Sequence, residues 1–572
     1  MRNIVSKNQS FLKGHSNSIT SIAISKDGSR VASGESSLIG FISELIVWNF
    51  ESRRAVYRLR IHKGGVASVA FSPSGKFLAS VGARDDRQLV VWDVTNGVPI
   101  TSIEAHPDTV HACSFFKRDD SRLITCGANH VKIWHLNEKS KLDCDKVSMG
   151  SLKRTYTTIA VAEQSCYCGT QSGDIVEVDL GNKLQKRCGP LKTPFELGVS
   201  CLTLIPNGDL LVGTGTGSLA KVALSSLKIV TENKQPDHRA SISSIALTPD
   251  GTHFFAGSRN GSIMFVNTET LLSEIRSTSL VSRVNAISFP HGLSDIFATA
   301  SGCEIRLWNS KTKSEMLSIR VPNIECLCID FALDGKSIIS GWSDGKIRAF
   351  TPQSGTLLFA IPDAHKDGVT VIKMLSDCVR VVSGGMKGDV RMWKLSKSHQ
   401  ELIVSLKEHR GRISGLVIRT DDNARAVTTS ADGSCIVWDL EKNVRLICIF
   451  ESTVFRGLAY HPDFSQIVTI GSDNRLTYYD VFDGQSLRVL ELKASVVTTS
   501  KSGSDLIIGS QDGKVSLIDY DRGEIVHTCS HGHSGDISAL AIAPNQSFIV
   551  SGGVDGGLFF WTLNSQTADR FA

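Results

Sequence analysis

The sequence has no long apolar run. Hydrophobic residues make up 41% of its 572 positions, yet no stretch approaches the roughly 18 consecutive apolar residues that a membrane-spanning helix needs. The N-terminus, MRNIVSKNQSFLKGH, lacks the apolar core of a secretory signal. We therefore expect an intracellular protein of the cytoplasm with no membrane partner.

The sequence also lacks a dominant charge and a metal-binding cysteine pattern. Lys and Arg number 62 against 57 Asp and Glu, for a net charge of +5, so nothing indicates a nucleic-acid partner. The 14 cysteines are spread over predicted strands, as thiols in a reducing compartment are. The pairs Cys166/Cys168 and Cys326/Cys328 have no second pair or histidine at zinc-site spacing. We expect no metal and no cofactor.

The sequence also lacks stretches in which apolar residues recur at helical spacing. Instead, segments with strand-like patterns repeat along the chain. Short runs such as SITSIAIS and LIVWN concentrate β-branched residues between turn-forming residues. A repeat of about 43 residues carrying Gly-His near its start and Trp-Asp near its end is typical of four-stranded propeller blades. Thirteen repeats end in an aromatic or β-branched residue: Trp48, Trp92, Trp134, Val178, Val222, Val266, Trp308, Phe350, Trp393, Trp438, Tyr479, Ile518 and Trp561.

Thirteen blades are too many for one ring, because propellers typically have four to eight. The sequence therefore predicts an all-β protein with two tandem WD-repeat β-propellers, in residues 1–279 and 280–572. The second propeller has seven repeats. The first has six visible repeats plus a partial N-terminal blade.

An open first ring would expose strand edges, which natural β proteins avoid. Ile4, Val5, Phe11 and Leu12 resemble the last strands of a blade whose earlier strands are missing. Two interpretations stay open, a shortened chain that lacks part of a blade and a six-bladed ring closed by these N-terminal residues.

The fullest repeat, Glu408 to Asp439, carries a polar set that resembles the structural network of WD repeats. The resemblance implies hydrogen bonds among His409, Ser430, Asp432 and Trp438, which pin the inner loops to the blade. The last repeat matches the pattern with His533, Asp555 and Trp561. A set that recurs around a ring is structural, whereas an active site is unique, so we expect neither an enzyme nor a small-molecule substrate.

Two departures from the repeat predict a contact surface. Trp342 falls in a predicted turn rather than at a third-strand end, and the first repeat has a lengthened turn, ESSLIGFISE. That turn contains Leu38, Ile39, Phe41 and Ile42. Exposed apolar groups of this kind often mark partner sites, although folding back onto the adjacent blade is the alternative.

Four segments go beyond what a WD repeat requires: LIGFISELIVWNF, FELGVSCLTLIPNGDLLVGTGTG, PNIECLCIDFALDGKSIISGWSDGKIRAFTPQSG and IGSDNRLTYYDVFDG. They resemble the cilia- and flagella-associated protein 52 family, also described as WD repeat-containing protein 16, over essentially the whole chain. Members of that family begin with an additional repeat.

The resemblance implies a structural inner protein of axonemal doublet microtubules in motile cilia and flagella. Its partners would be tubulin and neighbouring inner proteins, and its location the axonemal cytoskeleton. A soluble adaptor resembling the actin-interacting double propellers fits the architecture equally, but not these four segments.

Overall fold

The computed structural model describes residues 12, 14–38, 40–83, 86–150, 152–233, 240–396, 399–419, 421, 423–529 and 532–563. Throughout these ranges the regular structure is β-strand, with no helix. The strands form antiparallel sheets in which each strand pairs with its neighbours in sequence. Thirteen such sheets lie within the described residues, and we number them blade 1 to blade 13 along the chain. This arrangement confirms the predicted all-β fold.

The chain divides into two compact units, Met1–Ser277 and Thr278–Ala572. The described residues of the first unit form six four-stranded blades. Their strands are β1 Ile19–Ile24, β2 Arg30–Glu35, β3 Leu45–Asn49 and β4 Ala55–Leu59 in blade 1; β5 Val66–Phe71, β6 Phe77–Gly82, β7 Gln88–Asp93 and β8 Val98–Glu104 in blade 2; β9 Val110–Phe116, β10 Asp119–Gly127, β11 His130–Leu136 and β12 Leu142–Lys146 in blade 3; β13 Tyr156–Val161, β14 Ser165–Thr170, β15 Ile175–Asp179 and β16 Leu184–Gly189 in blade 4; β17 Val199–Leu204, β18 Leu210–Thr214, β19 Leu219–Ala223 and β20 Lys228–Asn233 in blade 5; and β21 Ile242–Leu247, β22 His253–Ser258, β23 Ile263–Asn267 and β24 Ser273–Ser277 in blade 6.

The second unit contains the remaining seven blades, and its last blade has three strands within the described residues. Their strands are β25 Val284–Ser288, β26 Ile296–Ser301, β27 Glu304–Asn309 and β28 Ser314–Arg320 in blade 7; β29 Cys326–Phe331, β30 Ile338–Trp342, β31 Ile347–Phe350 and β32 Leu357–Ile361 in blade 8; β33 Val369–Met374, β34 Arg380–Gly385, β35 Val390–Leu395 and β36 Gln400–Leu406 in blade 9; β37 Ile413–Ile418, β38 Arg425–Ser430, β39 Ser434–Asp439 and β40 Val444–Phe450 in blade 10; β41 Phe455–Tyr460, β42 Gln466–Gly471, β43 Arg475–Asp480 and β44 Ser486–Glu491 in blade 11; β45 Ala494–Thr499, β46 Asp505–Ser510, β47 Val515–Asp519 and β48 Ile525–Cys529 in blade 12; and β49 Ile537–Ile542, β50 Phe548–Gly553 and β51 Leu558–Thr562 in blade 13.

Most blades bury their second and third strands on both faces, which explains the near-continuous apolar sequences of these strands. In blade 1, for example, every residue of β2 after Arg30 is buried. One core cluster joins Ala32, Leu45 and Val47 of blade 1 to Val66 and Trp92 of blade 2. A four-stranded sheet cannot hide two apolar faces alone, so neighbouring blades provide the cover.

The second unit closes on itself. In neighbouring blades a hydroxyl near the start of one inner strand donates to a carbonyl of the next: Thr370 Oγ1 lies 2.7 Å from Ile413 O. Ser538 of blade 13 makes the same bond to Val284 O of blade 7, at 2.6 Å and 254 positions away in sequence. Aromatic contacts between Phe297 and Phe560 reinforce this junction. Seven blades therefore form a closed ring.

Candidate functional site

All eight tryptophans of the sequence are buried and hydrogen-bonded in one recurring way. Each donates its indole N–H to a hydroxyl oxygen on the second strand of its own blade, at 2.7–3.1 Å. A buried indole needs an acceptor, and the neighbouring strand supplies one. The pairs are Trp48 with Ser33, Trp92 with Ser80, Trp134 with Thr125, Trp308 with Thr299, Trp342 with Ser340, Trp393 with Ser383, Trp438 with Thr428 and Trp561 with Ser551.

In blade 10 a histidine extends this pair into a network. His409 Nε2 lies 2.7 Å from Thr428 Oγ1, the same hydroxyl that accepts from Trp438. His409 Nδ1 lies 2.5 Å from Ser434 Oγ, and Ser434 donates through both its hydroxyl and its amide to Asp432. The histidine and aspartate are thus linked through Ser434, their own nearest atoms being 3.9 Å apart.

Ser430 bonds Asp432 as predicted, but it is not the hydroxyl that His409 and Trp438 share. Its hydroxyl donates to Gly411 O at 3.0 Å and accepts from the Asp432 amide. Thr428, two residues earlier on β38, occupies the hydroxyl position between His409 and Trp438. The Trp438 indole thus bonds Thr428 and not Ser430, the last residue of the strand.

Blade 13 has the most direct form of the network. His533 Nε2 lies 2.8 Å from Ser551 Oγ, and His533 Nδ1 lies 2.9 Å from Asp555 Oδ1. Trp561 donates to Ser551 at 2.8 Å. Asp555 also accepts from the backbone amides of Ser534 and Gly557, so it ties two inner loops to the blade.

Three further blades carry the histidine. The hydroxyls of Ser33, Ser80 and Ser383 lie 2.7 Å from the Nε2 atoms of His15, His62 and His365 respectively. An acid faces the other ring nitrogen in each: Glu35, Asp86 and Asp389. A constellation repeated in this way stabilises the fold. None of these three copies is among the network residues predicted from the sequence, and in blade 1 a glutamate replaces the aspartate.

Burial and hydrogen bonding fix the protonation of these groups. Burial lowers the pKa of His409 to about 4, although Asp432 opposes the shift. Burial alone would raise the pKa of Asp432, but hydrogen bonds from Ser434 and the Arg410 amide outweigh it and lower that pKa to about 2. A neutral imidazole and an ionised carboxylate are therefore the stable pair at neutral pH.

Trp342 does not form part of an exposed surface, and this prediction is wrong. It ends β30, its side chain is fully buried, and its indole donates to Ser340 Oγ at 2.8 Å. Blade 8 has Phe350 where seven of the thirteen blades have tryptophan, and Trp342 supplies an indole from the neighbouring strand. The Arg348 guanidinium lies over its ring, 5.4 Å from the centroid.

The lengthened turn of blade 1 does present apolar side chains. Leu38, Phe41 and Ile42 are 76%, 65% and 57% exposed, while Ile39 lies outside the described residues. The backbone of the turn is held: the Gly64 amide donates to Phe41 O at 2.8 Å, and Ile42 forms a bridge with Lys63. We call Leu38, Phe41 and Ile42 the apolar turn.

The described part of the chain contains no group of three or more His, Cys, Asp or Glu side chains placed to hold a metal ion. In that same part, no helix is long and apolar enough to cross a membrane. All fourteen cysteines are free thiols. Burial raises the pKa of Cys113 to about 11 and that of Cys201 to about 12, so these thiols are protonated and unreactive.

Two family models and a set of named proteins are similar to this chain. The family model of the echinoderm microtubule-associated protein first beta-propeller matches residues 8–266, and the WD domain, G-beta repeat, matches residues 400–439 and 523–562. Relatives with the name "Cilia- and flagella-associated protein 52" include one from Mus musculus, 38% identical, with 97% of this chain and 90% of the relative covered. Those from Chlamydomonas reinhardtii and Homo sapiens are each 37% identical, with 97% and 98% of this chain and 91% of each relative covered.

Proposed function

Because the chain belongs to the cilia- and flagella-associated protein 52 family, we propose that it is a structural inner protein of axonemal doublet microtubules. It binds tubulin and neighbouring inner proteins and stabilises the doublet. The observation that carries the proposal is the family match over 97% of the chain. The match of residues 8–266 to a propeller model named after a microtubule-associated protein also supports it.

The internal chemistry of the blades suits a scaffold. Every histidine–hydroxyl–tryptophan set is buried within its blade, where it fixes inner loops and offers no reacting group to a substrate. In blade 10, for example, His409 and Trp438 are 5% and 0% exposed. Such blades keep their surface loops at fixed separations, which is what a protein that links lattice subunits requires.

The apolar turn is our candidate for a contact with tubulin or a neighbouring inner protein. Its side chains form an apolar centre beside a charged rim, because Glu44 pairs with Arg58 and Arg60, each with a contact of 2.6 Å. An apolar centre with a polar rim is the usual anatomy of a protein interface. The backbone bonds of the turn reduce the entropy that ordering it on a partner would cost.

Salt extraction of axonemes tests the proposed location. A tagged copy of the chain should remain with the doublets when high salt removes outer components, and a density map of those doublets should place it inside the wall. Release with the salt-soluble or detergent-soluble fraction would contradict the proposal and favour the soluble adaptor, including one that binds actin.

A single substitution tests the proposed contact. Phe41→Ser should leave folding unchanged, since the side chain is 65% exposed, and should reduce incorporation into doublets. Phe450→Ser is the matched control, because Phe450 is 73% exposed but lies at the end of an outer strand. Incorporation that is equal for both variants and the parent would remove the apolar turn from consideration.

A further inference from the structure

Blade 11 has a glutamate at the position where blades 9, 10 and 13 have the network histidine. The backbone identifies this position, because its carbonyl lies against the turn glycine of the preceding blade. A Cβ added to Gly433 would lie 2.2 Å from Glu451 O, and one added to Gly513 would lie 2.3 Å from His533 O. Both residues also stand at the same distance in sequence before the first strand of their own blade. Glu451 therefore replaces an imidazole.

The Glu451 carboxylate bonds a different group from the one that the histidine bonds in the other blades. It accepts from the hydroxyl of Tyr479 at 3.0 Å, and Tyr479 occupies the strand position that Trp438 has in blade 10. Burial and the neighbouring Glu451 carboxylate raise the pKa of Tyr479, so the phenol keeps its proton and acts as the donor. Tyrosine and glutamate thus bond each other rather than the second strand.

This exchange leaves the second-strand hydroxyl of blade 11, that of Thr469, without its usual partners. Thr469 is the fourth residue of β42, as Thr428 is of β38, and it is 1% exposed. Thr428 bonds both His409 and Trp438, whereas no hydrogen bond joins the Thr469 hydroxyl to any described residue. A buried hydroxyl is costly unless a partner bonds it, so this group calls for a ligand.

Thr469 lines a cavity of about 70 Å³, which has room for more than one water molecule. Glu451 and Asp473 line the same cavity, and Arg475 is the one cationic residue among its walls. Asp473 already accepts from the Thr453 hydroxyl at 3.1 Å, but a carboxylate has further lone pairs to offer. The cavity therefore combines an unbonded hydroxyl with two carboxylates and carries a net negative charge.

We propose that this cavity binds an imidazole group. In blade 13, Ser551 and Asp555 hold the two ring nitrogens of His533, and Thr469 and Asp473 are the corresponding pair in blade 11. The excess of carboxylates favours the protonated ring, whose two N–H groups donate to the Thr469 hydroxyl and to a carboxylate. The ligand is a histidine side chain or a small imidazole compound, and the inference is independent of the proposed function.

The probe is imidazole itself, added to the full chain below a pH of about 6.5, where the ring is protonated. Broadening of the imidazole proton resonances gives the dissociation constant. Thr469→Val removes the hydroxyl and keeps the shape of the side chain, whereas Glu451→His fills the cavity with a ring from the chain. Glu441→His is the matched control, because it makes the same substitution in an exposed turn of blade 10. Thermal melting shows that each variant is folded.

The parent and Glu441→His should bind imidazole equally. Thr469→Val should bind it at least about tenfold more weakly, because a hydrogen bond to a charged group is lost, and it should melt like the parent because Thr469 bonds nothing in the protein. Glu451→His should not bind imidazole. The absence of binding to the parent, or equal binding by the parent and either Thr469→Val or Glu451→His, would overturn the proposal.

A capped Gly-His-Gly peptide distinguishes the two sources of the ring. Displacement of imidazole by this peptide would identify a histidine side chain as the ligand. Imidazole that binds to the parent but is not displaced by the peptide would identify a small free compound.

Discussion

Replacement of Trp342 distinguishes a buried anchor from a surface contact. The indole is fully buried, donates to Ser340 Oγ at 2.8 Å and lies under Arg348. Trp342→Ala removes the whole aromatic system and leaves a cavity beside Phe350, whose ring is 6.4 Å from the indole. Substitutions of this kind destabilise a protein by about 3–5 kcal/mol.

Trp342→Phe separates packing from hydrogen bonding. Phenylalanine fills most of the space but cannot donate to Ser340, whose own hydroxyl still donates to Arg348 O at 2.9 Å. Loss of one buried hydrogen bond costs about 0.5–1.5 kcal/mol, and the smaller ring adds about 1 kcal/mol for the unfilled volume. We therefore expect Trp342→Phe to destabilise the second unit about half as much as Trp342→Ala.

Urea denaturation gives the change in unfolding free energy, and hydrogen exchange in β29 to β32 assigns it to blade 8. Phe41→Ser is the exposed control and should change stability by less than about 0.5 kcal/mol. A similarly small effect of Trp342→Ala would refute the buried structural role.

Three further perturbations test the network and the ring. Asp432→Ala removes the acceptor that orients Ser434 and should cost about 1–3 kcal/mol in urea denaturation; an unchanged unfolding free energy would show that Ser434 needs no carboxylate. Because the folded state lowers the pKa of His409 from 6.5 to about 4, the stability it contributes is complete above pH 6.5 and is lost as the pH falls toward 4. Unfolding free energies measured from pH 7 to 4 should show this slope reduced in His409→Asn, and an equal slope in both proteins would contradict the assignment. Gly552→Val forces a side chain against Val284, at 2.5 Å, and should destabilise the second unit by about 1–3 kcal/mol. Thermal melting measures this effect, and Gly535→Val is the control, because an added Cβ there meets open space and should change the melting temperature little. Equal melting temperatures for the two variants would argue against a tight junction between blades 13 and 7.

The fold could be predicted because its signals are local and repeated. Residues at strand ends, such as Trp48 and Trp92, follow runs that contain β-branched residues. Because the period recurs thirteen times, the fold can be recognised even though some single repeats match the pattern poorly. The four family-specific segments predicted the family, which the relatives confirm. The count of thirteen repeats then required more than one ring.

The hydrogen-bond partners within the blades were harder to predict from the sequence, because they depend on how side chains on neighbouring strands meet. Thr428, Thr429 and Ser430 are consecutive hydroxyl residues, and sequence spacing cannot show which one the Trp438 indole reaches. Trp342 follows a Ser-Gly pair where other blades turn, so its position indicated a loop. In the structure it packs in the same core cluster as Phe350, an arrangement that a single repeat does not reveal.

The bond from Ser538 to Val284 also affects how the second unit unfolds. In a closed circle every blade has two neighbours, so the removal of any one blade breaks two junctions at once, and the second unit resists local fraying. Under mechanical load, the second unit should therefore unfold in a single cooperative step rather than blade by blade.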